Sequence, residues 1–392
     1  MKLLFALYIA VATWATAAAL PFVHPGALNS KEELDYVKAK IQTGAQPWKA
    51  AFELLKSSNI SARAHHGQAH IDSTNHEAKL SEDDANAAYG QALLWYFTGE
   101  EAYAQRSIAI LNAWAGLENF TGGSEQDRLQ AGWLGAAFAS AAEIMRLYPG
   151  WSPNEIRKFQ EMFKKAFYPQ LNTASIWNGN VDLAQIDAMM AIAVFNEDEA
   201  EVSLGLARLK SRNLAYFYLT SDGPRPAHIA GDGGDLNKFW HRPSKWINGL
   251  TQETCRDNGH HTQQALGYAI HAAEVAWHQG VDVYSENQER YTAAMELLAD
   301  QIYSSSMHGL SANNAPTAKV LSTWEVAYNH YHNRAGVALP ATEKLIVERL
   351  RPSVHMNDWN PSFETLTHAE LPSATSPCGG AKVLAPPTRL PQ

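Results

Sequence analysis

Apolar positions along this chain recur mostly at helical spacing. Residues 84–97 (DANAAYGQALLWYF) are apolar over most of a helix surface, and Gly99 breaks them off. Helical spacing resumes over 101–115, with Ile108, Leu111 and Ala115 on one face. Residues 129–147 form a further Ala-rich segment. Ser152-Pro153 is a start signal, with Ser as N-cap and Pro at the first helical position. The helix it opens carries Ile156, Phe159, Phe163 and Phe167. Helices are also predicted over 182–194, 200–219, 261–278, 288–303 and 342–350. Two junctions, TGEEAY at 98–103 and QGVDVY at 279–284, each place a Gly stop between an apolar and an amphipathic helix. Alternating strand patterns are scarce. Apolar inner helices paired with amphipathic outer ones predict an all-α chain: a single-domain (α/α) toroid, or incomplete barrel, of helical hairpins.

Two long polar segments interrupt the helices. Residues 59–82 contain His65, His66, His70 and His76, and residues 222–258 are rich in Gly, Pro and Trp. Loops of this length in a compact domain are usually functional or disordered, and Trp240 and Trp246 imply order in the second. The opening MKLLFALYIAVATWATAAALPF has a charged start, a short apolar stretch and small residues at 15–19. It reads as a secretory leader, too short to span a bilayer. The expected division is a leader over 1–19, a toroid over 20–365 and a Pro/Gly-rich tail over 366–392. The sequons at Asn59 and Asn119 fit a secreted glycoprotein.

The formal net charge of −9 argues against nucleic acid or an anionic membrane as partner. It also requires any anionic substrate to be met by a local cationic strip. The two cysteines, Cys255 and Cys378, allow one disulfide in an oxidising compartment. Twelve Trp, fifteen Tyr and thirteen Phe suit both helix packing and stacking on sugar rings.

Three runs combine too many polar groups for plain core helices. TQETCRDNGHH, from residue 251, sets Glu253, Arg256, Asp257, His260 and His261 at the mouth of an apolar helix. Asp257 is suited to cap that helix and Glu253 to pair with Arg256, while Arg256 and His260 lie at i and i+4 on one face. WNGNVD places Trp177, Asn178 and Asn180 before another apolar helix, and capping accounts for only one asparagine. WEVAYNHYHNRAG, from residue 324, carries Tyr328, Tyr331, His332 and Arg334.

These runs, with the helix pair around ALLWYFTGEEAYAQRSIAILNAWAG, resemble the alginate lyase superfamily of polysaccharide lyases over most of the chain. The resemblance implies an α/α toroid whose groove binds an anionic, uronic-acid polymer such as alginate or β-1,4-glucuronan. It implies β-elimination by Asn, His, Tyr and Arg side chains, with no metal or other cofactor. The chain is expected to act as a monomer. On these residues the expected catalytic set is Asn180 with Arg256 or Arg334 on the uronate carboxylate, His260 as base and Tyr328 as acid. Trp177, Asn178, His261, Trp240, Trp246 and Tyr331 are expected to bind substrate. Better-known alginate lyases of the superfamily place His directly after the Asn; here Val181 follows Asn180, so Tyr331, Tyr268, His261 and His228 stand as substitutes.

Other readings remain open from sequence. A glycoside hydrolase would use a carboxylate pair drawn from Asp232, Asp235, Glu253 and Asp257. A metal site would draw on His65, His66, His70 and His76, though no HExxH helix frames them. A non-catalytic carbohydrate-binding protein would keep the aromatics without needing acid and base.

Overall fold

A computed structural model of the chain describes residues 21–257, 259–311, 319–353 and 363–372. The expected leader, Cys378 and most of the expected tail lie outside them. The principal helices are α1 (Lys31–Gln42), α2 (Trp48–Ser57), α3 (His76–Thr98), α4 (Glu101–Trp114), α5 (Glu125–Met145) and α6 (Pro153–Met162). They continue with α7 (Gly179–Asn196), α8 (Glu199–Tyr216), α9 (His260–His278), α10 (Gln288–Ser304), α11 (Glu325–Tyr328), α12 (Pro340–Leu345) and α13 (Glu364–His368). Wider π-type turns extend α6, α11 and α12. The described strand content is one parallel pair, His70–Ile71 with Asn119–Phe120.

Helices α3, α5, α7 and α9 form the inner row. From Gly179 to Phe195 every residue of α7 is buried, as a helix apolar all round requires. The inner helices run parallel. A Cβ placed on Gly132 would lie 2.8 Å from the Ala184 carbonyl carbon, and one on Gly135 2.9 Å from the Ala188 Cβ. Both partners advance together along α5 and α7, and only glycine permits so close an approach. Between α7 and α9 the pairs Asn180–Arg256 and Asp187–His271 advance together in the same way. The helices α4, α6, α8 and α10 return on the outside. The toroid therefore presents the N-terminal ends of its inner helices at one rim and their C-terminal ends at the other.

The base is closed by chain ends. Gly26 donates its N–H to Glu143 at the end of α5, and Gln279 beyond α9 binds both Val23 and Gly26. Helix α13 and the residues after it are packed rather than trailing: Leu366 and Leu371 are buried, and Trp48 donates to the Ala369 carbonyl. The folded body thus runs through at least Leu371, past the boundary at 365 expected from composition.

Helix α3 begins at His76, inside the segment expected to be loop. Its early turns bury Ser81, Glu82 and Asp84, polar groups that meet partners inside the fold. Asp84 accepts from Trp114 Nε1, Arg63 Nε and the His66 N–H, and Gln130 donates to the Ala78 carbonyl. Periodicity cannot show such a helix, since its buried face is not apolar.

Inside the toroid, His271 lies between Asp187 (3.4 Å) and Glu364 (2.7 Å). Burial alone would push its pKa down, but hydrogen bonds to the two carboxylates lift it to about 10 from 6.5. A raised value means stability fully present below about pH 6.5 and lost as the pH rises through about 10. We expect His271→Gln to flatten the alkaline limb of a melting-temperature against pH curve. An unchanged limb would show that His271 is not protonated in the fold.

Candidate active site at the rim of the inner helices

The N-terminus of α7 is held in an unusual way. Asn178 is its N-cap residue, but its side chain makes no capping hydrogen bond. The first N–H groups go instead to side chains of the preceding loop of α9. Gly179 N–H donates to Gln252 Oε1 (2.9 Å) and Asn180 N–H to Glu253 Oε2 (2.8 Å). The capping role expected for one asparagine is thus taken by a distant segment, and the Asn178 amide is left for another use.

Glu253 also binds Arg256, whose Nη1 reaches Asn180 Oδ1 at 3.4 Å. A guanidinium is a donor only, so this contact fixes the Asn180 carbonyl toward Arg256 and turns the amide NH₂ away from it. Glu253 is fully buried; burial lifts its carboxyl above the ordinary range against the pull of Arg256. Asp257 accepts from Gly259 N–H and from His261 Nδ1. Burial pushes the Asp257 carboxyl up, but the His261 hydrogen bond and the nearby charges of His261, Arg256 and His260 hold it below its ordinary value. The His261 proton is therefore drawn to Nδ1, leaving a lone pair on Nε2. The neighbouring His260 ring meets His261 edge to face, and burial followed by the charge of His261 lowers its pKa.

His241 joins this group from the loop over 222–258. It and Arg242 both adopt left-handed backbone (φ 58° and 56°), a sharp corner that turns the imidazole inward. Burial, then the Arg256 charge, pushes its pKa down to about 4. Gln252 ties the corner to α7, since its amide NH₂ donates to the Phe239 carbonyl while its oxygen accepts from Gly179. Beside it opens a cavity of about 370 Å³ whose lining includes Asn178, Asp232, Asp235, Lys238, Phe239 and His241.

Two turns along α9 from His261, on the same face, is Tyr268. Its hydroxyl accepts from Trp133 Nε1 at 2.8 Å. Burial, with the charges of Asp187, Glu82 and Glu253, raises its pKa well above 10, so the phenol keeps its proton. A helical side chain leans toward its own N-terminus, which here is the rim.

The structure therefore brings together Asn178, Asn180, Arg256, His260 and His261 of the expected residues, with Trp177 half exposed beside them. Several others it places elsewhere. Arg334 is buried between Glu33 and Glu274. Glu274 stands fourteen residues along α9 from His260, about 21 Å by helical rise. Tyr331 is buried and donates to the Tyr284 carbonyl. Tyr328 is 6% exposed, stacked on His332 beside the charges of Glu343, Arg351 and Glu325. The reading of Arg334, Tyr328 and Tyr331 as site residues is corrected accordingly: they build the base and wall of the toroid. Trp240 is corrected too. It is 1% exposed and packs with Trp246, Tyr218, Leu250 and Cys255 in a small second core under the loop. Trp246 is partly covered there, against Trp240 and with Arg225 over its ring.

The rival chemistries fare less well in this geometry. Glu253 and Asp257 are spent on Asn180, Arg256 and His261. Asp232 binds the N–H groups of Ile229 and Gly234, and Asp235 that of Lys238. The loop histidines turn apart, His66 to Asp84 and His70 to Asn119. Among the described residues the one convergent set of metal-type ligands is Glu33, Glu274 and His368, and the Arg334 guanidinium already bridges its two carboxylates. Cys255 is buried, its thiol pushed up to about 11 by burial. Missed in the sequence were the roles of Gln252, which lies in the 251–261 run, and of His241, Lys238 and Phe239, whose only signal was the length of their loop.

No helix among the described residues is long and apolar enough to cross a membrane. No curated protein matches the sequence. Among solved structures, alginate lyase A1-III from Sphingomonas species A1 is similar at 16% identity and a TM-score of 0.63, covering 88% of this chain and 97% of that one. A variant of alginate lyase A1-III complexed with tetrasaccharide matches at 16% identity and a TM-score of 0.63, covering 87% and 94%. An alginate lyase from Bacteroides ovatus matches at 15% identity and a TM-score of 0.50, covering 71% and 84%. These likenesses establish the helical toroid. The alginate lyase family profile matches residues 30–307, well over half of the 392-residue chain. The chain belongs to the alginate lyase family, and it is a polysaccharide lyase.

Proposed function

We propose that this lyase cleaves 4-linked uronic-acid polymers, alginate or β-1,4-glucuronan, by β-elimination at the rim of α7 and α9. The observation that carries the reading is a histidine aligned by a carboxylate, His261 on Asp257, beside the Arg256–Asn180 pair. The C5 proton of a uronate is a weak acid because the adjacent carboxylate is already anionic. Arg256 and the Asn180 amide receive that carboxylate and the charge that grows on it, helped by the positive end of the α7 dipole. His261 Nε2 takes the C5 proton, and the C–H electrons form the C4–C5 double bond. The C4–O4 bond breaks, and Tyr268 gives its proton to the departing O4. The base moves one residue from the His260 expected in the sequence, and the acid from Tyr328 to Tyr268. The leader-like start and the exposed sequon residues Asn59 and Asn119 support an exported, glycosylated enzyme.

The test is ultraviolet absorbance on polymannuronate, polyguluronate, glucuronan and a neutral glucan. A uronan should give the absorbance of an unsaturated product, and the neutral glucan none. Tyr268→Phe should lower turnover by about 10²–10⁴-fold, the usual worth of a positioned acid, while the melting temperature moves little. New reducing ends without absorbance would sink the elimination mechanism.

A further inference from the structure

The cavity beside the site has a chemistry of its own. It shares Asn178 and His241 with the site, and the Gln252 strut fixes its wall, so it is a continuation of the groove rather than a separate hole. At about 370 Å³ it lies at the small end of ligand clefts, which start near ~300 Å³. One sugar unit next to the cleaved one suits it better than a long stretch of polymer.

Its lining is that of a site for hydroxyl groups. The Phe239 ring offers an apolar face, and the Asn178 amide is released from capping. Asp232 and Asp235 supply carboxylate oxygens and Lys238 an exposed ammonium. The balance of charge is the informative part. Asp235 faces the Lys238 ammonium, Asp232 is held by His228 Nδ1 and two backbone N–H groups, and His241, with its pKa near 4, adds no positive charge at neutral pH. Arg256, the cation of the cleavage site, is not among the lining residues. A carboxylate bound here would meet a surplus of negative charge, in a protein whose net charge is already −9.

We infer that this cavity is a subsite for an uncharged sugar adjoining the uronate that is cleaved, so that the preferred substrate is a polymer in which uronates have neutral neighbours. The inference rests on the lyase reading for the position of the cleaved residue. In such a polymer Arg256 and Asn180 hold the uronate carboxylate, while the neighbouring ring packs on Phe239 and exchanges hydroxyl hydrogen bonds with Asn178, Lys238 and the two aspartates. A dense polyuronate would be cut less well, because every ring placed in the cavity brings a carboxylate to Asp232 and Asp235.

The experiment has two arms. The first compares glucuronan and polymannuronate with the same polymers partially carboxyl-reduced, so that uronates are flanked by neutral sugars. We expect kcat/KM per uronate to rise about fivefold or more on the reduced polymers, the scale of one unlike or like charge contact in water. Asp235→Asn should narrow that ratio by improving the intact polymers. The second arm measures binding of cellotriose, a neutral β-1,4 trimer, by calorimetry. Binding to the wild type should be lost or weakened at least tenfold in Phe239→Ala and in Asn178→Ala; the second variant removes an amide that caps nothing and keeps every backbone bond. Preference for the intact polymer at every degree of reduction would overturn the inference, as would cellotriose binding that is absent or indifferent to both substitutions. If no polymer yields unsaturated product, the lyase reading fails, and the cellotriose arm still decides the subsite.

Discussion

His261→Ala is expected to lower kcat/KM on a cleaved uronan by about 10²–10⁴-fold while the protein stays folded. The side chain is about a third exposed at the rim, so its removal costs the fold chiefly the Asp257 hydrogen bond and the ring contact with His260. Its importance lies in orientation. Asp257 fixes Nδ1, which leaves Nε2 as the basic nitrogen. Asp257→Asn should therefore also be impaired, by a smaller factor, because an amide can still hold the ring without favouring the imidazolium that forms. His260→Ala is the discriminating control. Its ring meets His261 edge to face, and it is His261 that is hydrogen-bonded to Asp257, so we expect an effect of about tenfold or less. If His260→Ala proved the more damaging, the base would return to the residue favoured by i, i+4 spacing with Arg256. Measurement of kcat and KM separately, with melting temperatures, decides between these outcomes.

The second large effect concerns stability. Arg334→Met should destabilise the fold by about 3–5 kcal/mol, the usual cost of stranding buried charges. The Arg334 side chain is 5% exposed and joins Glu33 on α1 to Glu274 on α9. Both carboxylates are buried, and His278 lies 3.1 Å from Glu33 and 3.5 Å from Glu274. Without the guanidinium, two anions share one imidazolium in a closed interior. The expected readout is a large drop in melting temperature with kcat per folded molecule unchanged. A stable variant with lost turnover would instead restore Arg334 to the catalytic set.

That contrast shows where reading the chain succeeds. Arg256 and Arg334 look alike in sequence: each lies in a run of amide and imidazole groups near a helix end. The fold separates them by the length of α9. Arg256 precedes the first turn at the open rim, whereas Arg334 meets Glu274 near the last turns, at the base that the N-terminal segment and α13 close. No spacing rule carries that information, since the partner of Arg334 on α1 lies 301 residues away. Trp240 makes the same point. An aromatic in a Gly- and Pro-rich loop suits a sugar platform equally well as the core of the loop, and only the meeting with Tyr218 and Leu250 settles it.

The sequence by itself determined the helical hairpins, because apolar residues at helical spacing must be buried whatever their partners are. It determined the rim runs as well, since Gln252 to His261 and Trp177 to Asn180 are local clusters whose members stay close in any fold that makes α7 and α9. Tertiary structure alone decided what those clusters face. Parallel packing of α7 against α9 brought Glu253 to the Asn180 N–H and freed Asn178; closure of the base turned Arg334 from a candidate for substrate into an internal counter-ion. Local chemistry is set by neighbours along the chain, but whether a charge meets solvent or another charge depends on contacts hundreds of residues apart.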